Sequence, residues 1–165
     1  MVIELPANAP RNTRDAFTYI DKLRNGATID DLKILALVEA IGQELYEDLA
    51  TRASNPEVQR LLRENGREEM VHAHRLSQAI ELLTGTPFPI PPLAENPLYT
   101  PLDPMPVTRE ALAGLAEAEF AGDALYAGVA KYFDQAEVLA LFRQSGEEEL
   151  EHGRRLQQAA ALLCE

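Results

Sequence analysis

Two Glu-x-x-His pairs lie eighty residues apart, Glu69 with His72 and Glu149 with His152, and each follows a further glutamate, Glu39 or Glu119, by thirty positions. Carboxylate and imidazole donors suit iron, manganese or zinc, and sites that mix them while leaving positions open suit redox-active iron or manganese. One such pair on an acidic helix is a weak sign, because Glu and His three residues apart are common surface neighbours. Two pairs in register, each with an upstream glutamate at equal distance, form a pattern that surface chemistry does not require.

Helical phase decides whether these groups can meet. Steps of three and four along the first long helix give the seam Leu32, Leu35, Glu39, Gly42, Tyr46 and Leu49, an apolar stripe broken by one acid. The second gives Val58, Leu62, Asn65, Glu69, His72, Leu76, Ala79 and Leu83. The third repeats the first as Leu112, Leu115, Glu119, Gly122, Tyr126 and Val129, and the fourth repeats the second as Val138, Phe142, Ser145, Glu149, His152, Leu156, Ala159 and Leu163. Four carboxylates and two imidazoles are thereby predicted at one level of a helical core, with no Lys or Arg on the seam beside them. Buried carboxylates without cations are costly and are driven toward protonation. Two divalent ions balance four carboxylates, and neutral imidazoles complete the donor set.

The elements that position these residues come from a duplication. Residues 31–83 set against 111–163 are identical at 22 of 53 positions, and two copies of this length describe a doubled helical hairpin rather than a solenoid. Helices are predicted over 29–53, 56–83, 108–132 and 135–163. Thr28, Asn55, Thr108 and Asp134 are the expected caps, with Pro56 at a first helical position. A short extra helix is predicted within Arg11–Asn25. Between the hairpins, eight of the eleven prolines fall in 87–106, so residues 84–107 form an extended crossover.

Composition narrows the function. A formal charge of −12 without basic patches argues against nucleic acid as a partner. With 46% apolar and only 6% aromatic residues, 165 residues suit one all-α domain. Cys164 is the sole cysteine, which leaves no intrachain disulfide or Cys-rich metal site and fits a reducing compartment. No leader pattern and no run of about 20 apolar residues is present, so a cytoplasmic protein without membrane association is expected.

Several neighbours carry two readings. Tyr46 and Tyr126, one heptad beyond Glu39 and Glu119, either hold a ligand carboxylate by hydrogen bonding or are core tyrosines with some other partner. Gly42 and Gly122 either allow close helix packing or leave room for a small oxidant. Asn65 and Ser145 are outer donors to the ligands or mark a wet core. Glu68, Glu147, Glu148 and Glu151 lie off the seam and are predicted to be solvated, as is His74.

The stretches EAIGQELY, EEMVH, EAEFAGDALY and EEELEH resemble the ferritin-like superfamily of di-iron carboxylate proteins, and within it the rubrerythrin-like proteins. The resemblance covers 29–163. It implies a ferritin-like antiparallel four-helix bundle in which Glu39 and His72 hold one metal, Glu119 and His152 the other, and Glu69 and Glu149 bridge both. It implies two iron ions, with manganese or zinc as substitutes, a reaction with O₂ or hydrogen peroxide, and a homodimer. Rubrerythrins proper add a four-Cys rubredoxin module and a further carboxylate where this sequence has Gly122. With one cysteine here, an external electron donor is expected, and the site is more symmetric, as in bacterioferritins. No fifth helix follows Leu163, so a ferritin cage is not expected. Oxidation of Fe²⁺ for storage and a purely structural metal-stabilised bundle are the alternative functions.

Overall fold

The computed structural model describes residues 3 and 5–163; Cys164 lies outside them. Among the described residues the regular structure is five α-helices and two short 3₁₀ turns: α1 Thr13–Ile20, α2 Ile29–Arg52, α3 Pro56–Thr84, α4 Arg109–Ala130 and α5 Ala136–Ala161. The described residues contain no strand. The four long helices fall within two residues of the predicted spans. The segment within 11–25 divides into α1 and a 3₁₀ turn, Asp21–Asn25. None of the helices is long and apolar enough to cross a membrane, among the described residues.

Local chemistry explains most of the helix ends. Thr28 accepts from the Asp31 backbone N–H while Asp31 accepts from that of Thr28 at 2.8 Å, a reciprocal capping box. Asn55 caps α3 ahead of Pro56, and Thr108 caps α4. Gly85 ends α3 in the left-handed region at φ 69°. Asp134 is not the cap of α5. The chain leaves α4 through tight bonds from Lys131, Tyr132 and Phe133 to Gly128, Val129 and Ala130, which carries it one residue further. Gln135 then takes the cap position without a side-chain hydrogen bond. Thr28→Ala is expected to cost about 1 kcal/mol, read as a fall of roughly 2–4 °C in the melting temperature; an unchanged melt would show that the box adds nothing.

Contacts across the bundle fix its directions. Gly42 and Gly66 meet Glu69 and Tyr46, so α2 and α3 are antiparallel, and Gly122 and Gly146 give the same relation for α4 and α5. Asn65 reaches His152 while His72 reaches Glu148, so α3 and α5 are antiparallel too. Tyr46 bonds Glu119 and Tyr126 bonds Glu39, which sets α4 antiparallel to α2 and parallel to α3. A chain leaving the end of α3 must therefore travel the length of the bundle before α4 can begin. The proline-rich segment makes that journey along α2: Phe88 accepts from Ser77, Asn96 donates to the Leu37 carbonyl at 2.9 Å, and the Met105 carbonyl accepts from Arg52 at 2.5 Å.

This strap explains why α2 is buried on nearly every side, including the run from Ile34 to Ile41, whereas Ala113, Gly114, Ala118 and Ala124 of α4 are exposed. Helix α1 joins the cover, its Thr13 side chain donating to Thr100 O at 2.8 Å. The core forms two apolar clusters. One includes Leu32, Leu35, Leu76, Ile80, Val138 and Phe142; the other includes Leu49, Val58, Leu62, Leu112, Leu156 and Ala159. The polar layer lies between them.

Candidate metal centre

Each long helix delivers its seam residues to that layer. Helix α2 brings Glu39, α3 brings Glu69 and His72, α4 brings Glu119, and α5 brings Glu149 and His152. Both histidines are 0% exposed, and Glu69 and Glu149 are 5% exposed. One donor atom from each of Glu69, His72, Glu149 and His152 falls within 4.8 Å of the others. Glu39 Oε2 stands 3.9 Å from His72 Nδ1, and Glu119 Oε2 stands 3.5 Å from His152 Nδ1, so all six side chains converge. The carboxylate–imidazole contacts also cross between the hairpins: Glu149 Oε1 is 3.1 Å from His72 Nδ1, and Glu69 Oε1 is 3.2 Å from His152 Nδ1.

The imidazoles show how the layer is poised. Their rings stack with centroids 5.1 Å apart, and both Nδ1 atoms are buried without a hydrogen-bond partner despite the carboxylates beside them. Oxygens at 3.1–3.2 Å that do not make hydrogen bonds are arranged around a common centre rather than aimed at the nitrogens. Donors of this kind fit a metal, since a buried polar atom otherwise finds a partner.

The opposite ring nitrogens correct the reading of the acidic runs. Glu68 and Glu148 are not solvated like Glu147 and Glu151; they are half-buried. His72 Nε2 is 3.0 Å from Glu148 Oε2, and His152 Nε2 is 3.1 Å from Glu68 Oε2. Each carboxylate is clamped by an arginine from the helix it faces. Arg75 donates to Glu148 at 2.5 and 2.9 Å, and Arg155 to Glu68 at 2.7 and 2.9 Å. The carboxylate accepts from Nε2–H and fixes each ring with Nδ1 turned inward. Burial raises the Glu148 pKa, but the His72 bond and Arg75 outweigh it and hold the group at about 2. The signal for these residues was the duplication itself, since Glu68 and Arg75 recur as Glu148 and Arg155.

Tyr126 donates to Glu39 Oε1 at 2.8 Å and Tyr46 donates to Glu119, so each hairpin's tyrosine holds the other hairpin's glutamate. Burial first, then the nearby carboxylates, raise both phenols well above their ordinary value and keep them protonated as donors. Asn65 accepts from Arg155 at 2.7 Å and donates to the His152 carbonyl, so it braces the clamp. Ser145 is the weaker counterpart, 3.5 Å from Arg75. His74 is exposed as expected.

Gly42 and Gly122 serve the carboxylates. A Cβ on Gly122 would stand 2.8 Å from Glu149 Cγ, and one on Gly42 would stand 3.0 Å from Glu69 Oε2. The backbones of α2 and α4 thus lie directly against the Glu69 and Glu149 side chains, and a further carboxylate at position 122 has no room unless Glu149 moves. Gly122→Ala is expected to weaken metal binding about tenfold by displacing Glu149, while the metal-free helix gains up to about 1 kcal/mol of propensity against an overpacking cost of similar size. Zinc titration beside a melting curve separates the two effects; equal affinity in variant and parent would contradict this placement.

The electrostatics match a site built for cations. Burial, then Glu69, push Glu39 well above the usual carboxylate range, and burial raises Glu149 to about 7. Burial opposes charge on His72, yet Glu148, Glu149 and Glu39 together raise it to about 10. On the side away from the histidines a cleft of about 430 Å³ opens between α2 and α4, with Glu39, Glu69, Glu119 and Glu149 at its floor. Neither histidine lines it, so the layer is closed by imidazoles on one side and accessible on the other.

Among curated proteins and among solved structures, no match to the chain is found. A family model described as Rubrerythrin matches residues 36–160, a span that contains all six convergent side chains. Together with the all-helical bundle and the buried Glu and His cluster, that match establishes that the chain belongs to the rubrerythrin family, the ferritin-like di-iron proteins.

Proposed function

We propose that this chain is a non-haem di-iron oxidoreductase that reacts with O₂ or hydrogen peroxide and draws electrons from an external donor. The observation that carries the reading is the pair of buried, unpartnered Nδ1 atoms facing four carboxylates beneath an accessible cleft. Glu39 and His72 would hold one ion, Glu119 and His152 the other, with Glu69 and Glu149 shared between them. Two iron ions bound there would supply a two-electron redox couple; manganese or zinc could occupy the same donors.

The chain's own groups do the positioning. Tyr126 and Tyr46 restrict the rotamers of Glu39 and Glu119, while Glu148 and Glu68 restrict the imidazoles. The two apolar clusters exclude water above and below the layer. Mixing the reduced, iron-loaded protein with O₂ or peroxide in a stopped-flow instrument is expected to give an optical change faster than that of free Fe²⁺. No change with either oxidant would leave the metals a structural role.

Oxidation of Fe²⁺ for storage is the second reading, favoured by the glycine at 122 and the near symmetry of the six donors. Excess Fe²⁺ separates the two, since turnover beyond two irons per chain supports iron handling. The proposal includes a cytoplasmic homodimer, for which light scattering gives the mass.

A further inference from the structure

The cleft over the carboxylates is larger than either small oxidant needs. Its volume of about 430 Å³ falls in the range of roughly 300–1,000 Å³ for pockets that hold organic ligands, whereas one water occupies about 30 Å³. Its walls are mainly aliphatic, with Val38 and Leu45 from α2, Leu115 and Leu125 from α4, and Leu102 and Met105 from the strap. Ala118 and Ala121, also on α4, keep it wide. It extends along α2 from Val38 to Tyr46, a distance of about 12 Å.

The polar groups divide between its two ends. Four glutamates and Tyr46 form the floor, while Asp21, Arg24 and Asp103 line it near the surface. The Arg24 guanidinium stands 3.9 Å from Asp21. Charges of both signs near the surface, with acids in excess, do not select an anionic head.

We infer that the α2–α4 cleft binds an uncharged aliphatic molecule, seated over the carboxylate layer. This rests on the di-metal reading of that layer and gives the site an organic ligand in addition to its oxidant. Burial of the aliphatic chain against Leu45, Leu115, Leu102 and Met105 supplies the affinity.

Calorimetric titration of the zinc-loaded, redox-silent protein with octan-1-ol tests this, with sodium octanoate and glycerol as comparisons. One octanol per chain is expected, with octanoate at least fivefold weaker and glycerol without detectable binding. Methyl shifts in ¹³C-resolved NMR should centre on Leu45, Leu102, Met105 and Leu115. Ala118→Phe, a change at an exposed position, fills the cleft and should weaken octanol at least tenfold while two zinc ions remain bound. Absence of octanol binding to zinc-loaded protein would overturn the inference and leave the metal reading intact, and unchanged affinity in Ala118→Phe or tighter binding of octanoate would also overturn it. Octanol bound to a protein that takes up no metal would support the ligand site and instead remove the di-metal reading.

Discussion

Glu148→Ala is expected to weaken one of two metal-binding steps by about 10- to 100-fold, the effect typical of removing the group that orients a ligating histidine. The His72 ring would lose the acceptor that fixes its tautomer, while His152 would keep Glu68. Arg75, whose side chain is only 14% exposed, would lose its bidentate partner. That loss adds up to about 3 kcal/mol, the low end for breaking a buried pair, because water reaches the Glu148 side. Glu148→Gln keeps an acceptor oxygen and should recover part of the affinity. Zinc calorimetry is the readout: one site retained and one weakened agrees with the crossed pairing, whereas two unchanged sites would show that Glu148 orients nothing.

Glu69→Gln should act in opposite directions on the two forms of the protein. With metal, loss of a shared ligand is expected to reduce uptake from two equivalents to one or fewer. Without metal, it removes a carboxylate whose pKa is raised by burial and then by Glu119. A raised carboxylate favours its protonated form in the folded state, so its cost to stability is absent below the ordinary carboxylate value. The cost grows as pH rises through that value and levels off above the raised one. Metal-free Glu69→Gln should therefore melt with the parent near pH 4 and above it near pH 8. A variant that is less stable at pH 8 would mean that the layer is a structural network rather than a cation site. Such opposition between stability and function is expected where ligands are gathered before their metal arrives.

The elements that repeat were the ones most legible in the amino-acid sequence. Seam phase placed Glu39, Glu69, His72, Glu119, Glu149 and His152 at one level because each helix is long, capped and regular enough for a 3.6-residue period to hold. Thr28, Asn55 and Thr108 cap as expected because their side chains act locally. Glu68 and Glu148 were misread because seam phase describes what a helix turns toward its own core stripe, whereas these side chains reach across to the ring of a facing histidine. Apart from the recurrence of Glu68 and Arg75 as Glu148 and Arg155, only the neighbouring helix supplies that information. The cap of α5 moved from Asp134 to Gln135 because the exit from α4 was tighter than a simple loop. The cleft was illegible for a similar reason: α2, α4, α1 and the strap all line it, and only the folded chain brings these elements together.

The strap also separates the roles of the two hairpins. Helix α2 carries the unbroken run Ile34–Leu37 and is covered by Phe88, Leu98 and α1, so its outer face belongs to the core. Helix α4 has Ala and Gly at the matching outer positions and leaves them exposed. The two hairpins thus sit in unequal surroundings, and the cleft opens between the covered helix and the bare one.

Anaerobic titration of the metal-free protein with Fe²⁺, followed by metal analysis after desalting, tests the central claim most directly. Two irons retained per chain, falling to one or fewer in Glu69→Gln, is the predicted result. Fewer than one iron in the parent, or two in both proteins, would contradict it.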